Sequence, residues 1–166
     1  MEKIHKGEEI MCLDQVYKKR DFIKNYKIAE FPRMDVKVGW KVIIKVKGGY
    51  CASRFVKPGA RYSCGQWLNE KDFRKDLWKN VGTIETTDLN NRYKIGFHIL
   101  LSLEDAKTYA ARYDLRGNFT RIVKVYFMDV CAYGTQDRLP VVVSKKMWIP
   151  RQIPYGSTGR KCKKRI

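Results

Sequence analysis

The chain has 166 residues, the size of one ordinary domain, and 44% of them are hydrophobic, which is enough for a core and excludes a purely disordered tail. It carries 35 Lys+Arg against 17 Asp+Glu, a formal net charge of +18. No apolar run approaches the roughly 18–20 residues of a bilayer span, and the opening MEKIHKGEEIMC has early acids and no apolar signal core, so a cytoplasmic protein is expected.

The five cysteines are scattered, form no CxxC pair and are accompanied by only two histidines. That pattern argues for reduced thiols and against structural zinc, with Cys51–Cys64 the one disulfide worth weighing. The charge is segregated. Residues 41–69 hold six basic and no acidic residues, and residues 138–166 hold nine basic and none acidic. Such segregation makes a directed positive field that attracts polyanions.

In chain order, residues 13–27 fit a helix, with Leu13, Val16 and Tyr17 at helical spacing, Ile23 and Tyr26 continuing the stripe, and Asp14 suited to the helix dipole. Pro32 in FPRMD is a break. Residues 39–55 read as a β-hairpin about Gly48-Gly49, whose glycines supply the positive φ of a tight turn. One face of its first strand carries Trp40, Val42, Ile44 and Val46, the other Lys41, Ile43, Lys45 and Lys47. A Pro58-Gly59 turn and a short strand at 61–64 follow. Residues 70–80 suit a helix with Phe73 and Leu77 inward.

YKIGFHILLSLEDAKTYAARY, residues 93–113, predicts a strand, a sharp turn and a helix. Ile95, Phe97, Ile99 and Leu101 share one strand face and His98 lies on the other with Lys94 and Leu100. Ser102 is a good N-cap, with Asp105 three residues on. Leu103, Ala106 and Ala110 then form a small apolar stripe beside Tyr109. Residues 119–130 and 138–149 read as Val/Ile-rich strands joined by CAYGTQD. Residues 151–166 look like a flexible basic tail. The expected fold is a single α+β domain over 1–150, a mostly antiparallel sheet with three helices packed on it and a basic C-terminal tail.

Catalytic chemistry finds little support. His98 has no carboxylate near it in sequence, so packing or a polar surface role outweighs a base. Tyr109 and Tyr113 suit core-edge aromatics with hydroxyls reaching water. Ser102 is better explained as a cap than as a nucleophile. Glu104 and Asp105 point apart on a helix, and GSTGR at 156–160 lacks the lysine and following helix of a phosphate loop. No metal site or cofactor is implied. The basic segments fare better. Lysines and arginines interleave with rings in 40–67, where cations would contact phosphates and rings would stack on bases. The nucleic-acid-binding set is Lys41, Lys45, Lys47, Arg54, Lys57, Arg61, Tyr62 and Trp67, with Lys145, Lys146 and Arg151 and the tail cations Arg160, Lys161, Lys163, Lys164 and Arg165. The bland alternative is that the rings build the core and the lysines only solubilise. The tail could equally be a localisation signal or bind anionic lipid.

GFHILLSLEDAKTYA followed by IVKVYFMDVCAYGTQDRLPVVVSKKMWI resembles small α+β domains of unassigned function met in phage and bacterial genomes. Those pair a G-F-H strand and an S-L-E-D-A helix with a valine-rich strand ending in K-M-x-I. The resemblance spans roughly 39–149 and implies a phage or mobile-element setting, with no activity attached. A weaker likeness is to the ADP-ribosyltransferase fold, through Ala106-Lys107-Thr108-Tyr109-Ala110. It implies that Tyr109 lines a nicotinamide pocket, but such enzymes use a late-strand glutamate and this chain has no Glu after Glu104. Three functions are therefore expected in turn. The first is a phage- or mobile-element-type accessory protein binding RNA or single-stranded DNA. The second is an NAD-using ADP-ribosyltransferase-like enzyme. The third is an inhibitor of an acidic or nucleic-acid-binding host protein.

Overall fold

Residues 120–148 are rich in β-branched and aromatic residues, and in a computed structural model of the chain they form two long paired strands. The structure describes residues 13–28, 36–46, 49–51, 62–73, 83–114 and 120–151. The elements are β1 (Gln15–Tyr17), α1 (Lys19–Asn25), β2 (Lys37–Val46), β3 (Gly49–Cys51), β4 (Trp67–Asn69), a single 3-10 turn (Glu70–Phe73), β5 (Thr83–Glu85), β6 (Arg92–Lys94), β7 (Phe97–Leu100), α2 (Leu103–Asp114), β8 (Thr120–Gln136) and β9 (Leu139–Trp148). The α+β class and the mostly antiparallel sheet follow the sequence reading. The three expected helices do not, since two α-helices and one 3-10 turn stand among the described residues.

β8 organises the sheet. Its first half pairs antiparallel with β2 from Lys37↔Phe127 to Ile44↔Thr120, and its second half pairs with β9 and with β1. β9 pairs in turn with β7 and β4. The circuit β2–β8–β9–β7 closes through the pair Trp40↔Leu100. Gly39 makes that closure possible. A β-carbon there would lie 2.5 Å from Ile99 Cγ2 and 2.9 Å from the Leu100 carbonyl oxygen. β8 and β9 meet at Asp137-Arg138, whose φ values of 51° and 65° fit a two-residue type I′ turn. Most of CAYGTQD is therefore strand rather than linker, with only Asp137 in the turn.

Two hydrophobic layers sandwich the sheet. One holds Ile43, Phe97, Ile99, Val123, Val125, Phe127, Val142 and Met147, covered by Phe22 of α1 and by Tyr62. The other holds Leu100, Ala132, Val141 and Val143 beneath Ala106 and Tyr109 of α2, with Trp40, Val42 and Ile122 packed at its margin. The hairpin β2–β3 is present with Lys45↔Tyr50 and Val46↔Gly49 in register, so Gly49 is the first residue of β3 rather than a turn residue. Ser102 caps α2 as expected: its Oγ accepts the Asp105 N–H at 3.0 Å and donates to Asp105 Oδ2 at 2.6 Å.

Further local expectations change, at 13–27 and 93–101 because pairing with another strand overrides local periodicity. Residues 13–27 split into β1 and the seven-residue α1, since Asp14 N–H donates to the Thr135 carbonyl at 2.6 Å and β1 extends that pairing. Of the helix proposed at 70–80, Glu70–Phe73 is a 3-10 turn and Leu77 lies outside the described residues. The strand at 93–101 breaks at Ile95-Gly96, because β6 pairs with the unforeseen β5 while β7 joins the main sheet. In the expected strand at 61–64, Tyr62 makes a lone bridge and Cys64 enters a turn. FPRMD, Pro58-Gly59 and the basic tail lie outside the described residues. Cys64 and Cys131 carry free thiols, so Cys64 is not bonded to Cys51.

Candidate nucleic-acid interface

His98 is held by a directed chain of hydrogen bonds. Gln136 donates through Nε2 to Tyr109 Oη at 3.1 Å, which fixes its Oε1 as acceptor for His98 Nδ1–H at 2.9 Å. His98 Nε2 is then the acceptor facing Tyr93 Oη at 3.3 Å, and Tyr93 Oη accepts the Leu13 N–H at 2.9 Å. Every donor meets an acceptor if the imidazole is neutral and carries its proton on Nδ1. Burial drives its pKa down from 6.5 to about 4, with the Lys41 cation adding to the fall and the Gln136 bond opposing it. Such a ring ties β6, β7, β8 and the N-terminal segment together, and with both nitrogens engaged it is a structural residue. Tyr109 is 6% exposed, and its hydroxyl meets Gln136 rather than solvent.

The predicted cations divide sharply. Lys41 is 5% exposed, on the covered face of β2, and donates from Nζ to the His98 carbonyl at 3.0 Å. Burial lowers its pKa from 10.5 to about 8. Lys41 therefore belongs to the covered face and not to the interface. Tyr62 is 6% exposed and stacks edge-on against Phe73 and Phe97, so it is a core ring. Lys145 is committed internally, to Glu70 Oε1 at 3.1 Å and to the Ile95 carbonyl. Lys45 stands opposite Tyr50 in the hairpin. Arg151 is exposed beside Gly65. Lys47, Arg54, Lys57, Arg61, Arg160, Lys161, Lys163, Lys164 and Arg165 lie outside the described residues.

Trp67 and Lys146 remain, and the fold gives them company that sequence reasoning missed. The pairings Trp67↔Trp148, Tyr126↔Trp148 and Val38↔Tyr126 put four side chains in one row across β4, β9, β8 and β2. All four alternate with inward neighbours, namely Leu68, Met147, Phe127 and Gly39, so all face outward. Trp67 is 44% exposed and Val38 is 45% exposed, both large for apolar side chains. The Tyr126 and Trp148 rings lie 5.3 Å apart at 59°. Lys124 sits two residues along β8 on the same face, exposed, with Nζ 5.8 Å from the Tyr126 ring centre. Lys146 sits two residues along β9 in the opposite direction and pairs with Asp129 at 3.0 Å. Rings lie between cations flanking the row on either side. The signal in the sequence is the spacing Lys124-x-Tyr126 and Lys146-x-Trp148 at period two, which any two-faced strand also shows.

No protein-family model, curated protein or solved structure matches this chain. No helix among the described residues is long and apolar enough to cross a membrane.

Proposed function

We propose that this chain binds single-stranded nucleic acid, RNA or DNA, on the open face of its sheet. The observation that carries the reading is the in-register row Trp67–Trp148–Tyr126, flanked by Lys124 and Lys146 on a chain of net charge +18. Adjacent strands are about 4.8 Å apart, longer than the about 3.4 Å per nucleotide of a stacked strand. A flexible single strand can extend to bring its bases over such rings, whereas a duplex keeps its bases paired within. Each stacked base contributes roughly 1–3 kcal/mol and the cations supply a sequence-independent attraction. An accessory role in a phage or mobile element is the setting its sequence motifs suggest. The transferase reading would need Tyr109 at an open pocket, and its burial between α2 and the sheet does not favour that.

Titration of labelled oligonucleotides across salt concentrations tests the proposal. Binding at micromolar concentrations or tighter is expected at about 50 mM salt, falling linearly on a log–log plot with a slope set by the phosphates neutralised. Absence of binding at that salt, with capture of an acidic protein instead, would replace this reading by the inhibitor one.

A further inference from the structure

The two cations beside the ring row are not equivalent. Lys124 is exposed and poised over Tyr126. Lys146 shares its position with the Asp129 carboxylate, whose side chain remains 51% exposed at the same edge. Asp129 is held there by backbone geometry. Its φ is +58°, just ahead of the irregularity in β8 between Val130 and Ala132. A non-glycine residue in that region is uncommon, and aspartate and asparagine are among those that tolerate it. Among the described residues, one side of the row thus presents a cation with no acid beside it and the other a cation with an acid.

Resting on the single-strand reading above, we propose that the row is oriented, with phosphates along the Lys124 side and base edges turned towards Asp129. A carboxylate repels phosphate and the carbonyl O4 of thymine or uracil, but accepts a hydrogen bond from the exocyclic amino group of cytosine. Asp129 is then a specificity-determining residue and the protein prefers cytosine over thymine and uracil. Cytosine and uracil have the same ring and differ at this edge, so the preference does not depend on base size.

The test compares full-length protein binding to oligo(dC) and oligo(dT), and to the RNA pair oligo(C) and oligo(U), for the native chain, Asp129→Asn and Lys124→Gln. Because the aspartate is half in solvent, the expected preference for the cytosine strand is roughly three- to tenfold, the low end of a base-edge contact. Asp129→Asn keeps a residue that tolerates positive φ, so the fold should persist, as a melting curve will show. It should tighten binding to all four strands by releasing Lys146, and bring both ratios towards one. Lys124→Gln should weaken all four alike and leave the ratios unchanged. If native protein binds the strands and Asp129→Asn leaves the ratios where they were, the orientation is wrong while single-strand binding stands. If none of the four strands binds, the single-strand reading fails and takes the orientation with it.

Discussion

Replacing Trp67 by alanine should weaken single-strand binding about tenfold and leave the fold intact. The ring is 44% exposed on a three-residue edge strand, so its removal opens no cavity in the core. What is lost is one stacking surface, worth roughly 1–3 kcal/mol. Adding Trp148→Ala should bring the combined loss to about a hundredfold. Trp148 also contacts Tyr126 at 5.3 Å, so a lowered melting temperature is expected for that change and not for Trp67→Ala. The salt dependence separates rings from charges. Ring removal should shift the whole binding curve without altering its slope, whereas Lys124→Gln should reduce the slope by about one. A Trp67→Ala protein that binds as tightly as the native one would remove the ring row from the interface.

Folding stability should rise with pH in two separate windows. His98 has a pKa of about 4 in the folded chain against 6.5 for the free side chain, so below 6.5 the unfolded chain takes up a proton that the folded chain refuses. Stability is thus complete above 6.5 and falls by about 3 kcal/mol as pH drops towards 4. Lys41, at about 8 against 10.5, follows the same sign at higher pH, so stability climbs again between 8 and 10.5. At neutral pH the lysine is charged in both states and carries its full burial cost. Lys41→Met should therefore stabilise the protein at pH 7 by up to roughly 2–3 kcal/mol and abolish the upper window. The Cys64 and Cys131 thiols, pushed up by burial from 9.0, work the other way above 9, as does Tyr26, pushed up to about 12, above 10, so the upper window is best read between 8 and 9. Denaturant unfolding of native, His98→Asn and Lys41→Met proteins measures both effects. If the native and His98→Asn curves run parallel from pH 4 to 6.5, the neutral-imidazole network does not exist.

Much of the fold was legible because local signals agreed with the tertiary outcome. The β2–β3 hairpin, the Ser102 cap and the valine-rich β9 each announce themselves through period or caps, although Gly49, expected in the turn, pairs with Val46. Leu13–Tyr17 did not, since an apolar spacing that suits one helical turn suits a three-residue strand equally, and only Thr135 and Gly134 decide between them. The lysines of β2 show the limit more plainly. Alternation marks two faces without saying which is covered, and here one is covered and the other only in part. One lies under the layer of Ile43 and Val123, with Lys41 carried into it, and part of the other lies under α2. The interface was half legible. Trp67 and Lys146 were chosen for composition, but their partners Trp148, Tyr126 and Lys124 stand 57 to 81 residues from Trp67 in the chain and meet it only through the registers of β4, β9 and β8. A row across strands leaves no trace in any local window.

The indole N–H resonances test the central claim most directly. The chain has four tryptophans, and two of them, Trp67 and Trp148, stand side by side in the open row. Titration with a short single-stranded oligonucleotide should shift or broaden the Trp67 and Trp148 signals together, and Trp67→Ala and Trp148→Ala assign the two. Oligonucleotide binding that leaves Trp67 and Trp148 unmoved would contradict the account and put the nucleic acid on another surface.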